Sequence, residues 1–227
     1  MRKPVTSIIT ILGLLINFPL SAGDDIPQVT AEGLHLVPDT HLRLVYADPD
    51  ADLGAYSKLL LIDPQVAFRK DWQRDINQNK PFVVTAQDMQ NIRTELAAMF
   101  KEILLAKLEA SDLVLVEEPG EDVLIIRPAI LDLNVSSPDT PRSRNQRSIA
   151  RSAGDMTLYL ELRDSLTGDI LAKALDHQTD RSNVTTFVTD KTRNENAARR
   201  ILDGWADILV NGLDETMRVA SGARAGN

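Results

Sequence analysis

The chain has 227 residues, a formal net charge of −8 and no cysteine. The missing cysteine excludes disulfides, thiol nucleophiles, cysteine-based metal sites and a lipid anchor on a lipoprotein cysteine. The negative balance repels nucleic acid and anionic membrane, and an aromatic content of 4% leaves few platforms for stacking bases or sugars.

The opening "MRKPVTSIITILGLLINFPLSAGDD" places Arg2 and Lys3 ahead of an apolar run from Val5 to Leu15, with small residues at Ser21, Ala22 and Gly23. That order is the pattern of a cleavable signal peptide, expected over residues 1–23. The run is shorter than the roughly 20 residues that span a bilayer, so no stable membrane anchor is expected after cleavage. The leader takes two of the 25 basic residues and none of the 33 acidic ones, so the remainder carries −10. That remainder is long enough for one good-sized domain, expected over 24–220, with a disordered tail over 221–227.

In chain order, "HLRLVY" (His41–Tyr46) reads as a short strand. "YSKLLLIDPQVAF" reads as a second, its continuous Leu59–Ile62 run suited to burial on both faces and Pro64 marking a bulge or an edge. Lys70 to Lys80 lacks apolar periodicity and reads as a polar loop. A helix follows from Thr85, where Thr85 and Asp88 have capping-box spacing. Met89, Ile92, Leu96, Met99 and Ile103 form its apolar face.

"DLVLVEEPGED" reads as a strand and turn, and Val123–Val135 as a longer strand. The segment "SSPDTPRSRNQRSIARSAGD" has loop composition. In "DMTLYLELRD", Met156, Leu158, Leu160 and Leu162 alternate with Thr157, Tyr159, Glu161 and Arg163, which predicts one buried and one wet face. "DSLTGD" then turns into "ILAKALDH" as a β-hairpin, with Gly168 placed for positive φ. A second helix opens at Thr192 and Glu195 and carries the stripe Ala198, Ile201, Trp205 and Ile208. The order β-β-α-β-β-β-β-α predicts an α+β fold, an antiparallel-rich mixed sheet with two amphipathic helices on one face.

The motifs "EGLHLVPD", "YSKLLLIDPQVAFRKDW", "VTAQDMQNIRTELAAMF" and "LELRDSLTGDILAKALD" occur in this order across most of the chain. In them the chain resembles a bacterial family of exported proteins catalogued as domain of unknown function 3313. The resemblance implies an envelope location and a fold type, and it carries no catalytic residues. Many members resemble lipoproteins with a cysteine closing the leader, which this chain lacks, so a soluble periplasmic form is expected.

Catalytic and metal motifs are sparse. The three histidines, His35, His41 and His177, have no paired spacing, and neither a G-x-S-x-G elbow nor a phosphate-cradling glycine loop occurs. No metal or cofactor is therefore expected. Glu117, Glu118, Glu121 and Asp122 crowd one turn, where four acids read more simply as a solvated loop than as a glycosidase pair. Glu161, Arg163 and Lys173 read as surface ladder partners.

Two surface features stand out. Arg142, Arg144, Arg147 and Arg151 follow one another with no acid between Asp139 and Asp155. They suit an anionic envelope component or an acidic protein partner, or they solubilise a loop. In "FRKDWQRD", Arg69 and Trp72 either form a docking anchor or mark where the tryptophan folds back to cap the core. A non-enzymatic envelope-associated binding or accessory domain is the expected function. The alternative is a hydrolase or small-ligand site assembled from distant carboxylates such as Asp132, Glu161 or Glu117, one of which would then have a raised pKa.

Overall fold

A computed structural model describes residues 26–78, 83–136, 138, 148–150, 154–180, 187–189 and 191–225. Its strands are β1 (His35–Leu36), β2 (Leu44–Ala47), β3 (Lys58–Leu61), β4 (Gln65–Phe68), β5 (Val114–Leu115), β6 (Val123–Val135), β7 (Ser148–Ala150), β8 (Gly154–Asp164), β9 (Ile170–Thr179) and β10 (Phe187–Thr189). The α-helices are α1 (Trp72–Gln78), α2 (Ala86–Glu109) and α3 (Lys191–Ala225), and a 3-10 turn covers Leu53–Ala55. Among the described residues, no helix is long and apolar enough to cross a membrane.

The main sheet runs in the order β1-β2-β9-β8-β6-β3-β5, and β4 also pairs with β6. The β1–β2, β2–β9, β9–β8 and β8–β6 pairs are antiparallel, while β3, β4 and β5 join by parallel pairings. This is the mixed, mostly antiparallel α+β sheet expected. The single strand expected over Tyr56–Phe68 is divided at Ile62–Pro64 into β3 and β4, both parallel to β6. Pro64 lacks an amide proton, which suits the break. β7 and β10 form a separate two-stranded ribbon.

One face of the sheet supplies Leu124, Ile126, Ile130, Met156, Leu158, Leu160 and Leu162 to the core. Leu96, Phe100, Ile103, Leu104 and Leu108 of α2 pack there, with Leu202, Trp205, Ala206 and Leu213 of α3. Full burial of each large side chain contributes about 1.5–3 kcal/mol, so this seam dominates stability.

The start of α2 has the expected capping box. Thr85 accepts from the Asp88 amide at 3.2 Å, and Asp88 accepts from the Thr85 amide at 2.8 Å. Thr85→Ala is expected to cost about 1 kcal/mol, seen as a lower urea midpoint; an unchanged midpoint means that the cap adds nothing in solution. The second helix differs from expectation at both ends. α3 starts at Lys191, so Thr192 stands inside the first turn, and it runs to Ala225, through the stretch read as a tail.

The Lys70–Lys80 stretch is helical from Trp72, where a polar loop was expected. Its apolar residues are Trp72 and Ile76, one turn apart, and both pack into the same small cluster. Gln73 and Asn77 then hold Val84 from the same helix: the Asn77 Oδ1 accepts from the Val84 amide at 2.7 Å, and both side-chain amides donate to its carbonyl at 3.0 Å.

Candidate functional site

The parallel helices α2 and α3 are joined towards their middle and far ends by ion pairs. Lys107 reaches Asp207 at 2.6 Å and Asp203 at 3.6 Å, and Glu102 meets Arg199 at 3.6 Å. Towards their N-termini a cleft of about 530 Å³ lies between them and one end of the sheet. Ile92, Leu96 and Met99 of α2, Ala198 and Ile201 of α3, and Leu133 and Met156 of the sheet make it apolar inside. Glu95, Glu102, Asp155, Asn194 and Arg199 give it a polar rim.

The sheet is irregular at this cleft. β6 carries one extra residue between Leu131 and Asn134 relative to β8, and the same irregularity breaks its pairing with β4. Asp132 absorbs the bulge at φ +51. Opposite Val135, Gly154 passes so near that a Cβ there would lie 2.2 Å from the Asn134 carbonyl oxygen. Asn134 also donates to Asp155 at 2.8 Å. The bulge and the glycine contact therefore shape the cleft floor.

Trp72 backs the same wall. Its ring stacks on Phe68 at 4.3 Å between centroids and 24° between planes, and its Nε1 donates to the Val135 carbonyl at 3.2 Å. At 2% exposure the indole caps the core beside Val84, Ile76, Met89 and Ile92. Arg69 is exposed and gives its guanidinium to Asp75 at 3.0 Å, where Arg74 joins it. Those hydrogen bonds, Arg69 first, hold the Asp75 carboxyl below the usual range. Arg142, Arg144, Arg147 and Arg151 lie outside the described residues. The chain positions on either side of that stretch, Pro138 and Gly154, both line the cleft.

The face of β8 and β9 turned away from the helices corrects the expectation of a wet ladder. Tyr159, Glu161 and Lys173 are all buried, at 4%, 2% and 5% exposure. Glu161 accepts from the Tyr159 hydroxyl, from Arg163 Nε at 2.8 Å, and lies 3.6 Å from Arg127. Burial pushes its carboxyl up, but Arg163, Tyr159 and Arg127 together outweigh burial and hold it below the ordinary value. Glu161 therefore lacks the raised carboxyl pKa that the distant-carboxylate reading expects of one of its members. Glu117 is exposed, and so is Asp132 at its bulge. Lys173, cross-strand from Glu161, instead meets Glu32 at 2.6 Å.

Glu32 sits at the tip of an N-terminal hairpin that the alternation of β8 alone could not reveal. Val29 bridges His35, the Leu36 amide donates to the Gln28 carbonyl at 2.9 Å, and Gly33 turns the tip at φ +87. The hairpin is tied to the body by β1–β2 pairing and by the Tyr46 hydroxyl, which donates to the Pro27 carbonyl at 3.0 Å. An extra cover of this kind is signalled only by "IPQVTAEGLHL" itself, a short punctuated apolar stretch ahead of the first expected strand.

The chain is similar to several solved bacterial structures, each at low identity. Protein XCC0632 from Xanthomonas campestris shares 17% identity at a TM-score of 0.43, over 82% of this chain and 97% of that one. A minor lipoprotein from Acinetobacter baumannii shares 13% identity at a TM-score of 0.36, over 70% and 94%. A putative neuraminyllactose-binding hemagglutinin homolog from Helicobacter pylori shares 11% at 0.35, over 74% and 91%. No curated protein matches the chain in sequence. The family model described as "Protein of unknown function (DUF3313)" matches residues 35–209, from β1 well into α3. With most of its length matched, the chain belongs to the DUF3313 family.

Proposed function

We propose that this protein is a non-enzymatic binding domain of the bacterial cell envelope, and that it holds a small amphipathic ligand between α2 and α3. The observation that carries the reading is the cleft itself. Its volume of about 530 Å³ falls among those of small-ligand sites, which combine apolar walls with a few polar groups at the mouth. Met99, Leu133, Met156 and Ile201 are the walls, and Asn194, Arg199 and Glu102 stand at the mouth. Export is supported by the leader pattern of residues 1–23, and an envelope setting by the family resemblance.

The test is titration with N-phenyl-1-naphthylamine, an uncharged probe that brightens in apolar surroundings. Saturable uptake is expected, and Ala198→Trp, which fills the cleft from α3, is expected to weaken it at least about tenfold. The thermal midpoint of that variant should stay within a few degrees of the parent. No saturable uptake by the parent protein, or equal uptake by a folded Ala198→Trp variant, overturns the reading.

A further inference from the structure

The second face of the sheet presents a row of residues across neighbouring strands: Tyr46 of β2, Lys173 of β9, Glu161 of β8 and Arg127 of β6. Arg163 and Tyr159 flank Glu161 along β8. Among the described residues, these strands therefore contribute three cations and one carboxylate to this patch. Its carboxylate is already shared among Tyr159, Arg163 and Arg127. Lys173 is 5% exposed, and its ion-pair partner comes from outside the strands that build the row, from the hairpin tip at Glu32. Glu32 itself keeps 46% of its side chain in water. The acid thus approaches from the solvent side and finishes a site built by the body.

We propose that this sheet face is a binding surface for an acidic peptide segment of a partner protein, and that the hairpin of residues 28–36 occupies it as an intramolecular stand-in. The chemistry follows from the occupant already seated. Under its cover the Lys173 ammonium is paired with a carboxylate instead of water, so the closed bed suits a carboxylate carried on a narrow backbone turn. The Lys173 hydrogen bond also lowers the Glu32 pKa, and the groups facing the pair are Tyr46, Tyr159, Glu161, Arg127 and Arg163. The hairpin is also a local unit. It is held to β2 by the His35 and Leu36 pairs and by the Val37 amide on the Val45 carbonyl at 2.8 Å, Leu34 is buried, and Val29 stays about half exposed. Release of the hairpin would uncover the bed for a partner that supplies a carboxylate in its place.

The test uses the full chain with Glu32→Ala and a fluorescent peptide of residues 26–36, followed by anisotropy. The tethered tip competes in the parent protein, so peptide binding is expected to be at least about tenfold weaker there than in the variant. A peptide carrying glutamine for its glutamate should lose binding, as should the Glu32→Ala/Lys173→Met double variant. Equal binding to parent and variant, or binding indifferent to Lys173→Met, overturns the proposal. So does capture of Glu32→Ala by anionic phospholipid vesicles without peptide binding, which assigns the bed to a membrane surface. Amide exchange on the unaltered protein gives an arm independent of variant folding. Leu34 and Leu36 should exchange through local opening, faster than Leu158 and Leu160 of β8, and equal protection shows a hairpin that does not separate.

Discussion

Trp72→Ala is expected to lower the unfolding free energy by about 4 kcal/mol, the cost of deleting a large aromatic side chain from a site that cannot collapse. The indole is 2% exposed, and its cluster draws on five places in the chain: Phe68 of β4, Ile76 of its own helix, Val84 ahead of α2, Met89 and Ile92 within α2, and Val135 of β6. Its removal opens a void among elements that are each anchored elsewhere. Trp72→Phe separates the two contributions. It keeps most of the stacking on Phe68 but leaves the Val135 carbonyl without its donor, at about 1 kcal/mol. Denaturant titration of both variants gives the answer, and a loss below 1 kcal/mol for alanine would mark Trp72 as a surface anchor rather than a core cap.

A loss of about 3 kcal/mol is expected for Gly154→Ala, in the range of forced overpacking. The added methyl would lie 2.2 Å from the Asn134 carbonyl oxygen, a backbone atom that cannot swing aside. Either β8 retreats from β6 at the bulge or the register beyond Leu131 slips. Gly168 is the control. It sits at φ +77 in the β8–β9 turn, yet a Cβ there meets nothing within 4 Å. Gly168→Ala therefore suffers only the left-handed backbone strain, about 1 kcal/mol. Calorimetry on both variants should rank them in this order, and equal losses would refute the close-contact argument. If register slips, probe uptake in the α2–α3 cleft should fall together with stability in Gly154→Ala alone.

The contrast between these residues shows what the sequence could disclose. The capping box at Thr85, the hairpin turn at Gly168 and the alternation of β8 are local signals, each complete within a dozen residues, and each is legible. The α1 helix was not, because seven residues hold two apolar positions and the helix is stabilised by Val84 and Phe68 outside it. The parallel pairing of β3 and β4 with β6 joins segments some sixty positions apart, beyond the reach of any periodicity. Glu161 and Lys173 alternate as wet residues should, and they are buried because Glu161 is enclosed by Tyr159, Arg163 and Arg127 and Lys173 is met by Glu32. The stripes of α2 and α3 were readable in part. The gap left between their N-terminal halves depends on how two helices lie on one sheet, which neither stripe encodes.

The hydrogen bond from the Arg43 amide to Asp176 spans 133 positions, and the Lys173–Glu32 contact spans 141. By contrast, β8 and β9 are joined by a turn of a few residues and form a local hairpin. Loop-closure entropy makes distant contacts slow to form. Because a chain is made from its N-terminus, the β1–β2 segment emerges well ahead of β9 and must wait for it to find its place. Until β9 arrives, the β1–β2 segment is an unpaired edge carrying the exposed Val37, the condition in which strands pair with the wrong neighbour. Among the described elements this edge is then expected to open first in the finished protein, so that its slowest step in folding and its easiest fluctuation afterwards would share an origin in chain topology, which amide exchange along β1, β2 and β8 checks.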